Sequence, residues 1–247
     1  MEWRDEGLVL ATRRFGERDC VLEVMTEHHG RHLGLVRAGR SSRHAPMLQP
    51  GNRLALVWRA RLDEHLGVFS AETLHARAGQ VLASPLALHA VNHLGLLLRL
   101  MPEREAHSHV YHAADGLCGL LGEPAHLAAT MVRFELMILS ELGFGLDLSQ
   151  CAATGSVGNL IYVSPKSARA VSAEAGAPYA GKLLKLPSFL LEAPRADVPP
   201  PELEALNEAF ELAGFFLQRH VFEPRGISDI SSRKALLTQM NLALAQG

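Results

Sequence analysis

The apolar pattern changes period once, near residues 76–85, and that change limits the fold more than any motif does. Before it, "GLVLATRR", "DCVLEVMT", "HLGLVRA", "RLALVWRAR" and "LGVFSAETL" are β-rich runs of strand length. Turn chemistry separates them at Phe15-Gly16-Glu17, His29-Gly30-Arg31, Pro50-Gly51-Asn52 and Asp63-Glu64. Five short strands with one longer polar connection predict a small closed or partly open barrel of the OB type, and an SH3-like barrel fits the same statistics. Cys20, Leu22 and Val24 share one face of the second run, so Cys20 reads as a small core residue. In the fourth run a period of two puts Arg53, Val57, Arg59 and Arg61 on one face and Leu54, Leu56 and Trp58 on the other. The first face is cationic and the second is core.

After the change the chain reads as helices. Ser84 as cap and Pro85 at the first helical position start a helix that stops by Pro102. "HSHVYHAADGLCGLLG" follows, and then "EPAHLAATMVRFELMILSELGFG", where Leu127, Met131, Phe134, Ile138 and Leu142 make one apolar stripe and Gly143 a stop. "PYAGKLLKLPSFLLE", a proline-rich joint "APRADVPPPE", an amphipathic segment with Leu203, Leu206, Phe210 and Leu217, and "SSRKALLTQMNLALA" complete a part interrupted only near Cys151 to Ser172. The expected fold class is multi-domain β plus α. Residues 1–80 form the barrel domain and 81–247 a mainly helical domain carrying a small hairpin region at about 148–175. A chain of 247 residues can bury two modest cores, and 48% hydrophobic with 20% charged residues is ordinary globular composition. Charge close to every short apolar run at the N-terminus excludes a signal peptide, and no apolar run approaches a membrane span. Three widely spaced cysteines, Cys20, Cys118 and Cys151, fit a reducing compartment, so a cytoplasmic protein is expected.

The net charge of -2 hides an asymmetry. From Arg31 to Leu62 there are seven arginines (Arg31, Arg37, Arg40, Arg43, Arg53, Arg59, Arg61) and no Asp or Glu. A run of one sign points to a polyanion, since solvated faces usually mix both signs. Phe15, Trp58 and Phe69 are the few aromatics nearby, so backbone binding indifferent to sequence is the expected mode.

Enzyme chemistry has little support. The 13 histidines include His89 and His93 four apart, His107, His109 and His112 together, and His28, His29 and His32 around a turn. "HAVNH" lacks the glutamate of a zinc-hydrolase HExxH helix, so most histidines read as polar surface residues. There is no Gly-x-Ser-x-Gly, and "GSVGN" lacks the Gly-Lys-Ser/Thr ending of a phosphate loop. No catalytic residue is assigned and no enzyme is expected.

Four stretches in order, "GLVLATRRFGERDCVLEVMTEHHGRHLGLVRAGRSSR" with "LQPGNRL", "RFELMILSELGFGLDLSQCAATG", "LIYVSPKSARAVS" and "ISSRKALL", resemble the bacterial RecO family in its alphaproteobacterial form. The resemblance implies an N-terminal OB domain, a helical domain, and a recombination mediator without enzymatic turnover. Its implied partners are single- and double-stranded DNA, the acidic C-terminal tail of single-stranded DNA-binding protein (SSB), RecR and, indirectly, RecA, with no membrane and with nucleoid association. Arg31, Arg37, Arg40 and Arg43 match the basic OB region and are the first DNA-binding candidates, with Arg14, Arg53 and Arg59 next. Lys166 and Arg169 on the hairpin turn are further DNA-contact candidates, for which a solvated turn is an equal alternative.

Arg133 matches the position associated with the SSB tail. A guanidinium can grip a carboxylate with two parallel hydrogen bonds. Ala129, Thr130, Leu136 and Met137 leave it no acid partner three or four residues away on its helix.

Many RecO proteins carry a four-cysteine zinc site whose first ligand stands where Cys151 is. Thr154 takes the second-cysteine position here and no cysteine follows, so neither zinc nor any other cofactor is expected. The hairpin should be kept in place by Leu160, Tyr162 and Val171. An RNA-binding OB module without annealing activity is the alternative, because no residue here separates DNA from RNA.

Overall fold

The computed structural model describes residues 1–62, 64–193 and 198–245. Part of the proline-rich joint, residues 194–197, and Asp63 of one turn lie outside them. Five strands come first: β1 Glu2–Phe15, β2 Asp19–Thr26, β3 Gly30–Val36, β4 Arg53–Arg59 and β5 Val68–His75. They close into a barrel in the order β1-β2-β3-β5-β4, with β1 antiparallel to both β2 and β4 and β3 parallel to β5.

Closure depends on the length of β1. Glu2 to Leu8 pairs with β4, and Gly7 to Phe15 pairs with β2, so one strand serves two neighbours. The sequence reading starts this strand at Gly7. Its first five residues are mostly charged and carry no apolar alternation, yet Trp3 alone supplies enough inner face to pack on the barrel core. That core is Leu22, Val24, Leu54, Leu56, Trp58 and Phe69, with Cys20 buried beside them as expected. Burying a side chain of this size is worth about 1.5–3 kcal/mol, so these inward positions hold the barrel shut.

The helices are α1 Ala78–Ala83, α2 Pro85–Leu98, α3 Ser108–Gly119, α4 Pro124–Glu141, the short α5 Ala173–Gly176, α6 Leu203–Leu217 and α7 Ser231–Leu244. Ser84 Oγ accepts the Ala87 N–H at 3.3 Å and Pro85 opens α2, as the sequence predicts. The helix ends at Leu98 rather than reaching Pro102, because Leu100 and Met101 bond back three residues and tighten the last turn. On α4 the stripe Leu127, Met131, Phe134 and Ile138 is buried, and Gly143 at φ +85° ends it in the left-handed region.

The interruption is larger than the hairpin expected. β6 Leu160–Val163 and β7 Ala170–Ser172 pair as predicted, with Leu160, Tyr162 and Val171 buried. A third strand, β8 Leu184–Lys185, joins the other edge of β6. The sequence reading runs helix through this part, but Leu184 and Lys185 are fixed by pairing with Val163 and Tyr162, a non-local contact no local pattern reveals.

By packing the chain divides into Met1–Gly122 with Ser232–Gln239, and Glu123–Ser231 with Met240–Gly247. This division falls later than the change in secondary structure, because α1 to α3 pack with the barrel unit. Among the described residues no helix is long and apolar enough to cross a membrane.

Candidate nucleic-acid interface

The β1–β2 turn and the segment after β3 meet at one end of the barrel. The Arg40 N–H donates to the Arg18 carbonyl at 3.0 Å, an Arg40 guanidinium N–H donates to the Glu17 carbonyl at 2.7 Å, and the Ala38 N–H donates to Asp19 Oδ1 at 2.8 Å. Glycine makes the approach possible at Gly39, where a Cβ would stand 2.4 Å from Cys20 Sγ. Arg13, Arg14, Arg18, Arg37, Arg40 and Arg43 are all exposed there, and Phe15 at the hairpin tip is 51% exposed. None of the six guanidiniums has a carboxylate partner among the described residues.

Other arginines on the sequence-derived set are differently placed. Arg31 is 14% exposed and bonds Glu23 at 3.0 Å and Glu103 at 3.1 Å. Glu23 is buried and also takes Arg99 at 2.9 Å, so this trio is internal. Arg53 meets Asp115 at 2.8 Å, and Arg59 meets Glu2 at 2.7 Å. The outward face of β4 is therefore basic in sequence but largely neutralised in space, by acids from β1 and α3. Lys166 is exposed at the β6–β7 turn, while Arg169 bonds Asp147 at 3.1 Å. Arg13 and Arg18 were missed by sequence reasoning. They lie outside the one-signed run, Arg18 between Glu17 and Asp19, and only the hairpin pairing brings them to its side.

Arg133 projects from α4 into a small pocket of about 100 Å³ formed with His126, Thr130, Phe189, Val198 and Pro199. It does have internal partners, which helix spacing could not show. Its guanidinium donates to the Glu192 carbonyl at 2.8 Å and to the Phe189 carbonyl, and lies 5.5 Å from the Phe189 ring centroid. Partial burial lowers its pKa, yet among the described residues no carboxylate side chain is bonded to it. Among the described residues two carbonyls take two of its five N–H donors, beside an apolar wall.

Around Cys151 the residues do not fit a four-ligand zinc site. Its sulfur accepts hydrogen bonds from the Ser172 N–H at 3.3 Å and Ser172 Oγ at 3.4 Å. Those bonds, with Thr154 contributing, lower the thiol pKa to about 6 although the residue is enclosed. The hydrogen-bond donors meet the sulfur where metal coordination would be needed, and no second thiolate is near. The sequence reading also puts most histidines at the surface, but His32 and His93 are buried, His32 against Trp58 and Phe69.

Fold and site together define a class: a five-stranded barrel with an unneutralised arginine end, followed by a mainly helical unit. The family model described as Recombination protein O N terminal matches residues 1–77, and Recombination protein O C terminal matches residues 87–227. Proteins named DNA repair protein RecO are similar over nearly the whole chain. The one from Mesorhizobium japonicum is 52% identical over 240 residues (97% of this chain, 94% of the relative). That from Methylobacterium nodulans is 54% identical over 236 residues (95% and 96%), and that from Chelativorans sp. 50% over 247 residues (100% and 98%). The chain belongs to the RecO family.

Proposed function

We propose that this chain acts in DNA repair and recombination as a mediator without catalytic turnover. It binds single- and double-stranded DNA with the arginine end of its barrel and anneals complementary strands. Through the Arg133 pocket it engages the acidic tail of SSB, and with RecR it helps load RecA in the cytoplasm. The observation that carries the DNA reading is the set of six exposed guanidiniums at one barrel end, without carboxylate partners among the described residues. Each can neutralise a phosphate and release its counterion, which is the main source of affinity for a nucleic-acid backbone.

Strand order supports the OB reading over the SH3-like one, since β1 bridges β2 and β4 while β3 runs parallel to β5. Family membership supports the repair and recombination role, and the apolar wall beside Arg133 suits a short acidic peptide with an apolar end. Annealing of SSB-coated complementary strands tests the whole reading. Full-length SSB should permit annealing and tail-deleted SSB should not, and Arg133→Ala should impair only the SSB-dependent reaction. Equal affinity for RNA with no annealing would instead support an RNA-binding module.

A further inference from the structure

Asp5 of β1 and Glu27 and His28 of the β2–β3 turn converge at a different part of the barrel unit from the arginine end, and His112 of α3 reaches this group at Glu27. Asp5 has a carboxylate that is 2% exposed. Its Oδ1 accepts the Glu6 N–H at 2.8 Å and faces His28 Nδ1 at 3.1 Å, while Oδ2 accepts the His28 N–H at 2.9 Å and faces His29 Nδ1 at 2.8 Å. Glu27 Oε1 lies 2.9 Å from His112 Nε2 and 3.9 Å from His28 Nε2. One ligand atom each from Asp5, Glu27 and His28 all fall within 4.8 Å of one another. A groove of about 730 Å³ opens beside them, lined by Arg4, Glu6 and Glu72 among others.

The two carboxylates at this point are met by imidazole rings rather than by fixed cations. Among the described residues neither Asp5 nor Glu27 has a Lys or Arg partner, and three imidazoles are all that face them. A divalent cation supplies two positive charges for two carboxylates. Mixed imidazole and carboxylate donors are the ligand set of zinc and similar first-row ions rather than of magnesium or calcium, which prefer oxygen alone.

We propose that Asp5, Glu27, His28 and His112 form a binding site for a zinc-type divalent cation that pins α3 to the barrel turn. Zinc bonds to nitrogen and oxygen are about 2.0–2.2 Å, which sets ligand atoms around a tetrahedral ion about 3.3–3.6 Å apart, so the His28–Asp5 and His112–Glu27 pairs must open slightly while His28 and Glu27 close. The side chains that must move are the free ones. His28 is 67% and His112 62% exposed, whereas Asp5 is held by two backbone N–H groups and by His29, which stacks flat on Trp3 with ring centroids 4.1 Å apart. Fixed support behind one ligand is what orients a metal site.

The test uses full-length, tag-free protein stripped with chelator and titrated with zinc chloride, magnesium chloride and cobalt chloride in a calorimeter and spectrophotometer. One zinc per chain should bind, raising the melting temperature of the wild type. The surface double variant His28→Ala/His112→Ala should lose at least about tenfold in zinc affinity, Asp5→Asn likewise, and Cys151→Ser should match the wild type. Cobalt should give no thiolate charge-transfer band. Absence of zinc binding overturns the proposal, as do binding retained in the double variant, a thiolate band, or magnesium binding as tight as zinc.

Discussion

Arg31 and Arg40 are both arginines of the same one-signed run, nine residues apart, and they do different work. Arg31 lies among Glu23, Glu103 and the Met101 carbonyl, and Glu23 is nearly inaccessible to water. Removing Arg31 leaves a buried carboxylate with Arg99 alone. An unsatisfied buried polar group costs about 1–3 kcal/mol, so Arg31→Ala should lower the urea midpoint by an equivalent amount. The slope of log affinity for DNA against log salt should stay at the wild-type value, and a reduced slope would return Arg31 to the DNA surface. Sequence made Arg31 and Arg40 equivalent candidates. Burial and carboxylate distance separate them, and neither quantity exists before the strands pair.

At the scale of elements, the small sheet shows how a segment keeps its place around a single thiol. The loop before β6 docks on β7 through backbone bonds, the Ala152 N–H to the Ala170 carbonyl at 2.8 Å and the Ala170 N–H to the Asp147 carbonyl at 2.9 Å. Ser172 completes the contact at the Cys151 sulfur, and its hydrogen bonds with that of Thr154 lower the thiol from its ordinary value of 9.0 to about 6. A thiol with a depressed folded pKa adds stability fully above its unfolded pKa, and that contribution fades as pH falls through the folded one. The difference in urea midpoint between wild type and Cys151→Ser should therefore widen as pH rises from about 6 to about 9. A constant difference across that range would remove the thiolate from the account. β6 and β7 were legible from the alternating run and the turn between them. β8 was not, because two residues carry no period and their only instruction is the edge of β6.

For the molecule as a whole, the local sign of charge matters more than the net -2. If the six arginines at the barrel end each meet a phosphate of single-stranded DNA, log affinity should fall with log salt at a slope of up to about 4. Arg40→Ala/Arg43→Ala should reduce that slope by about 1.4 with an unchanged melting temperature. Filter binding across a salt series measures both. An unchanged slope would move the DNA path away from this end.

The sequence by itself determined the switch from strands to helices, the inward positions of the barrel strands, the helix start at Ser84-Pro85 and the stop at Gly143. Each rests on chemistry within a few residues: a period, a cap, or a turn. The family resemblance could also be read there, because ordered motifs survive without knowledge of contacts. Tertiary structure decided which arginines keep their charge unspent, that Arg133 already holds two carbonyls, and that histidines scattered over 80 residues meet two carboxylates. Charge is carried by a residue, but the neutralisation of charge is a distance between strands and helices. That distance is set only when β1 bridges β2 and β4 and α3 packs on the barrel.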